Sequence, residues 1–327
     1  MYYVRLPMFL SLGMRKFTKI AYEKASKDFE PPSEPSRLSG KSVMITGANQ
    51  GIGLAAARML AKRGCVLYLV CRNRQRGEEA VERIVRETGN RDVHLLVCDV
   101  SSLSDIRKLA QEFDSSGRPL HVLINNAGVM IKPPIKSVDG FEINFATNTL
   151  GSYALTRAME PILKKSSPAK VIFVSSGGAL LEGLEVDDLE GCDIISSTRF
   201  QETQYSRDKR RQIALAEGLS REWAISKVFV YSMHPGWAET ESVKTSIPDF
   251  YTRFKDSLRT PDQGADTIAW LAETDDGKLE NGGYYLDRSP QSKHLWLSRT
   301  SYSEDDVISL MLKLDHLVKP ISSQAQS

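Results

Sequence analysis

The chain has 327 residues, 41% of them hydrophobic and 26% charged, a composition that excludes a disordered or fibrous polymer and predicts a soluble globular protein with a sizeable core. Its 43 Lys and Arg nearly cancel 41 Asp and Glu, leaving a formal charge of +2. Nothing in that balance argues for a phosphate-backbone partner, so no nucleic acid is expected. Cys65, Cys71, Cys98 and Cys192 lack the paired spacing of a zinc site. They read as reduced thiols rather than a disulfide framework, and no metal is expected.

Taken in chain order, residues 1–29 come first. Arg5 and Pro7 interrupt the segment early. No part of the chain reaches the roughly 18 consecutive apolar residues of a membrane span, and no secretory cleavage site is evident. From Leu10 onward Met14, Phe17 and Ala21 fall at helical spacing, with Arg15, Lys16 and Lys19 pointing elsewhere. Two readings stand side by side: peripheral membrane contact through residues 1–29, or a helix packed against its own domain. The expected location is intracellular, cytoplasmic or peripheral to a membrane. Pro31 to Ser36 form a turn-rich linker.

From Lys41 short apolar runs alternate with amphipathic stretches. SVMIT (42–46), VLYLV (66–70), VHLLVC (93–98), HVLIN (121–125), KVIFVS (170–175) and KVFVYSM (227–233) are rich in Val, Ile and Leu, as strands are when both faces of a parallel sheet are covered. Helical periods occupy 54–63, 75–88, 102–113, 145–165 and 205–224. The alternation predicts an α/β fold, a single doubly wound parallel sheet of about seven strands with helices on both faces. The seventh strand falls near Gly283–Leu286. Val307, Leu310, Met311, Leu314 and Leu317 place a docked helix in the tail. The division is an N-terminal helical extension and linker (1–38), one domain (39–290) and a C-terminal helical tail (291–327).

The first strand runs directly into Thr46-Gly47-Ala48-Asn49-Gln50-Gly51-Ile52-Gly53, and a helix follows at once. Glycines there permit a tight turn and close approach of the backbone to a pyrophosphate, which the helix N-terminus attracts. A methyltransferase could also use such a loop. At the end of the second strand Cys71 stands where an acid would bind a ribose hydroxyl, and Arg72 and Arg74 follow. An arginine suits a 2′-phosphate, which favours NADP(H) over NAD(H); the alternative is a pair of solvated arginines at a helix start.

Downstream, Asn125-Asn126-Ala127-Gly128 closes the fourth strand, Ser175-Ser176 closes the fifth, and Tyr205 precedes Lys209 by four residues. That interval puts both on one helix face. An ammonium beside a phenol stabilises phenolate and lowers the tyrosine pKa from about 10, toward the working range of an acid/base catalyst. Alone, the pair could equally be ordinary helix surface.

In this order the motifs resemble the short-chain dehydrogenase/reductase family over roughly residues 40–290. The resemblance implies a Rossmann-type sheet and a carbonyl–alcohol oxidoreductase using NADP(H), with NAD(H) as the alternative. It assigns Tyr205 as general acid/base, Ser176 to orient the substrate oxygen, Lys209 to hold the nicotinamide ribose, and Asn148 to a water-mediated relay toward Lys209. Cofactor contacts fall to Gly47, Asn49, Gln50, Gly51, Ile52, Gly53, Arg72, Asp99, Val100, Asn126, Ala127, Gly128, Pro235, Gly236 and Thr240, with Tyr205 and Lys209. Ser175 is the competitor for Ser176. His234 reads as structural and Asp208 as a surface charge.

The interval from Ser176 to Tyr205 is longer than in the simplest members, so Leu180–Gln204 reads as an inserted loop of the kind that sets substrate choice. Ser242–Thr260 carries Ile247, Phe250, Tyr251, Phe254 and Leu258, either an apolar lid or simply packed helices. The expected partner is a small-molecule carbonyl or alcohol of lipophilic character, with a homo-oligomer as the family's usual assembly. Arg15 to Lys19, residues 234–240, 263–267 and 286–288 are similar to the family's member-twelve group. The rival class is a dinucleotide-binding regulator or scaffold with little or no turnover, for which the catalytic set would be superfluous.

Overall fold

Val43, Met44 and Ile45 are wholly buried in the first strand, β1 (Ser42–Thr46), of a computed structural model that describes residues 2–295 and 298–323. Burial on both faces of a strand requires helices on both sides of its sheet. The further strands are β2 (Val66–Cys71), β3 (Val93–Val97), β4 (Val122–Asn125), β5 (Ala169–Val174), β6 (Val228–Met233), β7 (Tyr284–Leu286) and β8 (Ser289–Pro290). They run in the order β3-β2-β1-β4-β5-β6-β7-β8. The first seven are parallel; β8 turns back antiparallel on β7. The sequence predicted seven strands and missed β8, which is too short to show a period of two. Between β1 and β4 the strand order reverses, and at such a point a crevice opens above the carboxyl ends of the strands.

The chain enters through α1 (Tyr2–Lys16) and α2 (Lys19–Ala25). The predicted stripe from Leu10 to Ala21 breaks between them. Thr18 is extended (φ −77°, ψ 165°) and its hydroxyl accepts from the Ala21 N–H, so it caps α2 instead of continuing α1. Phe17, beside the break, is buried while Met14 is exposed.

After β1 comes α3 (Gly51–Ala61), after β2 α4 (Arg74–Thr88), and after β3 α5 (Leu103–Ser115). Asn73 caps α4 by accepting from the Arg76 N–H, and Gly89 ends it with φ +74°. A short turn, α6 (Ile143–Phe145), widens into a π-helical turn at Ala146–Gly151 and then becomes α7 (Ser152–Lys165). The long α8 (Phe200–Glu222) follows, then the small α9 (Glu241–Ser246) and α10 (Pro248–Phe254). Next is α11 (Pro261–Glu273), begun by a capping box of Thr260 and Gln263, and last α12 (Glu304–Ser323).

One apolar layer joins α3, α4 and α11 to the sheet through residues such as Ala56, Leu60, Ile84 and Ile268. The other joins α5, α7 and α8 through Leu109, Tyr153, Leu155 and Leu215, with Val307, Leu310 and Leu314 of α12 added outside. Asp315 secures α12 by accepting from the Tyr153 hydroxyl at 2.7 Å. Among the described residues no helix is long and apolar enough to cross a membrane.

Candidate active site

The β1–α3 turn sets the floor of the crevice. Gly47 and Gly51 have φ of +64° and +54°, a region that side-chain-bearing residues avoid. At Gly53 a Cβ would stand 2.2 Å from the Gly47 carbonyl oxygen and 2.5 Å from Asn126 Nδ2. Asn126 Nδ2 donates to the carbonyls of Thr46 (2.8 Å) and Gly47 (3.2 Å). The Thr46 hydroxyl oxygen accepts from the N–H groups of Asn126 and Ala127. These bonds knit the glycine loop to the end of β4.

One cavity of about 560 Å³ runs from this loop over the ends of the strands. Gly47, residues 49–53, Arg72, Asp99 and Val100 line it, as do residues 126–128, Ser176, Tyr205, Lys209, Pro235, Gly236 and Thr240. The predicted residues therefore gather in one place, apart from Asn148. Arg74 is not among the lining residues; its guanidinium lies 3.7 Å from Glu78 on the surface of α4. Burial raises the Cys71 thiol pKa, leaving a neutral group where an acid would repel a phosphate. A groove floored by tight glycines, ending on the first turn of α3 and flanked by Arg72, fits a nicotinamide dinucleotide.

Tyr205 and Lys209 share one face of α8, and the ammonium lies 5.4 Å from the centre of the phenol ring. The two serines after β5 separate by direction. Ser175 donates its hydroxyl to the Lys209 carbonyl at 2.7 Å and is committed there. Ser176 faces Tyr205 closely enough to lower its pKa. That lowering does not prevail: burial comes first and pushes Tyr205 up to about 12, with Asp208 adding to the rise. The net shift of the phenol is thus upward, set by burial. Burial also brings Lys209 down to about 8, against the pull of Asp208.

Asn148 sits behind the cavity wall, in the π-helical turn. Its side chain pairs with the Val129 backbone, accepting at 2.8 Å and donating at 2.9 Å. Its carbonyl accepts from Gln212 Nε2 at 2.7 Å, and Gln212 Oε1 accepts from Lys209 Nζ at 3.1 Å. Lys209 also donates to the Val174 carbonyl at 2.8 Å. The Gln212 side-chain amide thus joins the Asn148 backbone carbonyl to the Lys209 ammonium. Gln212 was absent from the sequence reading, although its place three residues after Lys209 on the same helix was a usable signal.

Asp208 is not a surface charge. It is fully buried, accepting from Thr149 Oγ1 (2.7 Å) and Arg211 Nη1 (3.0 Å). Burial is the main cause of its pKa rising to about 6. Arg211, equally buried, donates to the carbonyls of Glu185, Asp188 and Leu189 and so anchors the segment between β5 and α8 onto α8. His234 is the structural group expected: buried, with Nδ1 accepting from the Gly236 N–H.

The substrate side of the cavity is largely apolar. Val243 of α9, Ile247 between α9 and α10, and Phe250 of α10 form one wall, and Leu6, Phe9 and Leu10 from α1 form another. The segment between β5 and α8 contributes Leu181 and Glu182 near its start and Arg199 at its end.

Residues 41–186 match the family described as short chain dehydrogenase. Dehydrogenase/reductase SDR family member 12 of Bos taurus is 41% identical over 309 residues, covering 94% of this chain and 95% of that protein. Human retinol dehydrogenase 11 is 36% identical over 253 residues, 77% of this chain and 78% of its own. A crystal structure of an uncharacterised protein from Mycobacterium paratuberculosis superposes with a TM-score of 0.69 at 28% identity, over 90% of this chain and 97% of that one.

Proposed function

Since the chain belongs to the short-chain dehydrogenase/reductase family, and as such is an oxidoreductase of carbonyl and alcohol groups, we propose that it acts on a lipophilic small molecule and prefers NADP(H) over NAD(H). The observation that carries this reading is the single cavity that holds Ser176, Tyr205 and Lys209 at one end of a glycine-floored groove. The lipophilic substrate is supported by the walls from α1, α9 and α10, and by a relative named for retinol. Arg72 and the neutral Cys71 support the phosphorylated cofactor.

Residues 49–53 and the first N–H groups of α3 would hold the pyrophosphate, and Arg72 the 2′-phosphate. Asp99 and Asn126 would meet the adenosine half; Lys209, Pro235, Gly236 and Thr240 the nicotinamide half. When bound, the dinucleotide supplies or accepts hydride. Tyr205 gives its phenolic proton to the substrate oxygen in reduction and takes it back in oxidation. Ser176 donates a hydrogen bond to that same oxygen and fixes its direction. The Lys209 ammonium favours the phenolate that remains, and Gln212 and the Val174 carbonyl hold the ammonium in place.

Purified protein with NADPH, assayed on long-chain aldehydes and ketones, tests the assignment. Tyr205→Phe is expected to bind NADPH like the wild type while turnover falls about 10²–10⁴-fold, the usual worth of a positioned acid/base. Undiminished turnover in that variant would remove Tyr205 from the role.

A further inference from the structure

We propose that α1 is the roof of the substrate chamber and that it selects elongated apolar molecules bearing the reacting carbonyl or carbinol at one end. This inference rests on the oxidoreductase reading and deepens it. Leu6, Phe9 and Leu10 project from α1 into the cavity that contains Tyr205. None of the three offers a hydrogen-bonding side chain, so this part of the chamber rewards apolar length alone.

The roof is seated by shape. At Gly13 a Cβ would lie 2.1 Å from the Trp237 ring, so only glycine lets α1 come down onto it. Trp237 in turn meets Phe9 at 6.2 Å, Phe250 at 5.1 Å and Phe254 at 5.0 Å between ring centres. One indole thus joins the roof to the opposite wall.

The roof is also fastened at both ends. Near its start Arg5 donates to the carbonyls of Ser298 (2.7 Å) and Leu181 (2.9 Å). At its end Arg259, 1% exposed, donates to the carbonyls of Lys16 (2.7 Å) and Phe17 (2.9 Å). These are carbonyls at the close of α1, where a helix presents unpaired acceptors and partial negative charge. Asp287 holds the same guanidinium with two bonds, at 2.5 and 2.8 Å. The Trp237 N–H donates to the Phe17 carbonyl at 2.8 Å, which ties the roof to the segment carrying Pro235, Gly236 and Thr240.

The experiment compares the full chain and two variants, with NADPH, on straight-chain aldehydes from butanal to dodecanal. Wild-type kcat/KM should rise about fourfold per methylene until the chamber is full, chiefly through KM. Phe9→Ala should move the optimum to longer chains, with NADPH affinity unchanged. Gly13→Leu should lift the roof and lower the dodecanal-to-butanal ratio of kcat/KM at least about tenfold. Calorimetric binding of dodecanol to the NADPH complex reads the same chamber without turnover. Binding that weakens in Gly13→Leu, in a protein inert toward every aldehyde, would uphold the roof while ending the proposed reading of its substrate and cofactor. If Phe9→Ala keeps both the wild-type length profile and the wild-type dodecanol affinity, the roof inference is overturned, whatever Gly13→Leu does to folding.

Discussion

Lys209 is buried, which weakens its hold on the proton, so its surroundings decide how well it serves Tyr205. Gln212 supplies one acceptor and at the same time grips the Asn148 carbonyl, so it is a positioning residue for both. Gln212→Ala removes an acceptor from a buried cation, which favours the neutral amine. The expected result is a kcat about tenfold lower, with the alkaline limb of the pH–rate profile moved to lower pH and NADPH affinity little changed. Gln212→Glu restores an acceptor and should return that limb to higher pH. A purely structural role would lower activity without moving the limb. Arg72 admits a sharper comparison, because it lines the groove whereas Arg74 turns toward Glu78. Arg72→Ala should weaken NADPH by about 10–100-fold, the worth of a charge-assisted pair, and leave NADH nearly untouched. Equal losses for both cofactors would mean that Arg72 does not read the 2′-phosphate.

At the scale of elements, the local sequence foretold most of what formed. The strands from β1 to β7 lie within a residue or two of the apolar runs. Failures came where a local pattern met a competing local bond or a distant surface. The helical spacing at Leu10, Met14, Phe17 and Ala21 suggested one helix, yet Thr18 caps a second and Phe17 turns inward against His234, 4.5 Å between ring centres. Apolar spacing also left open whether residues 1–29 faced a membrane or the domain. Phe9 and Phe17 are buried against the domain, while Ile20 remains exposed. The segment Ser242–Thr260 had been read as either a lid or packed helices. Its helices pack against the domain, with Leu258 buried, while Val243, Ile247 and Phe250 line the cavity. The tail helix was legible from Val307, Leu310 and Leu314 because a long amphipathic period needs no partner to be recognised.

For the whole molecule, the junction of α1, β6 and β7 carries a pH dependence. His234 is enclosed there between Phe17 and Tyr284, and burial, then the charges of Arg259 and Lys16, bring its pKa from 6.5 to about 3. The unfolded chain takes up a proton near pH 6.5 that the folded one refuses. This group's contribution is therefore present above pH 6.5 and is lost as pH falls toward 3. Asp208, raised to about 6, has the opposite sign: it favours the fold below pH 3.8 and ceases to do so as pH rises through 6. Between pH 7 and 5 the His234 effect amounts to about 2 kcal/mol. Thermal unfolding at the two pH values should show a fall in Tm that His234→Asn, which keeps an acceptor for the Gly236 N–H, makes shallower. An unchanged slope in that variant would exclude His234 as the source. The same junction marks the boundary of what can be read without coordinates. Alternation of strand and helix, the glycine turn, and the Tyr205–Lys209 interval were determined by the sequence alone, because each depends on residues a few positions apart and on the geometry of one element. The bridge through Gln212, the burial of Asp208, the roof of α1 and the Arg259 clasp on the Phe17 carbonyl, 242 residues away, were decided only by tertiary structure. Whether a charge is solvated or buried, and which wall an apolar helix completes, depends on groups that meet only when the whole chain has folded.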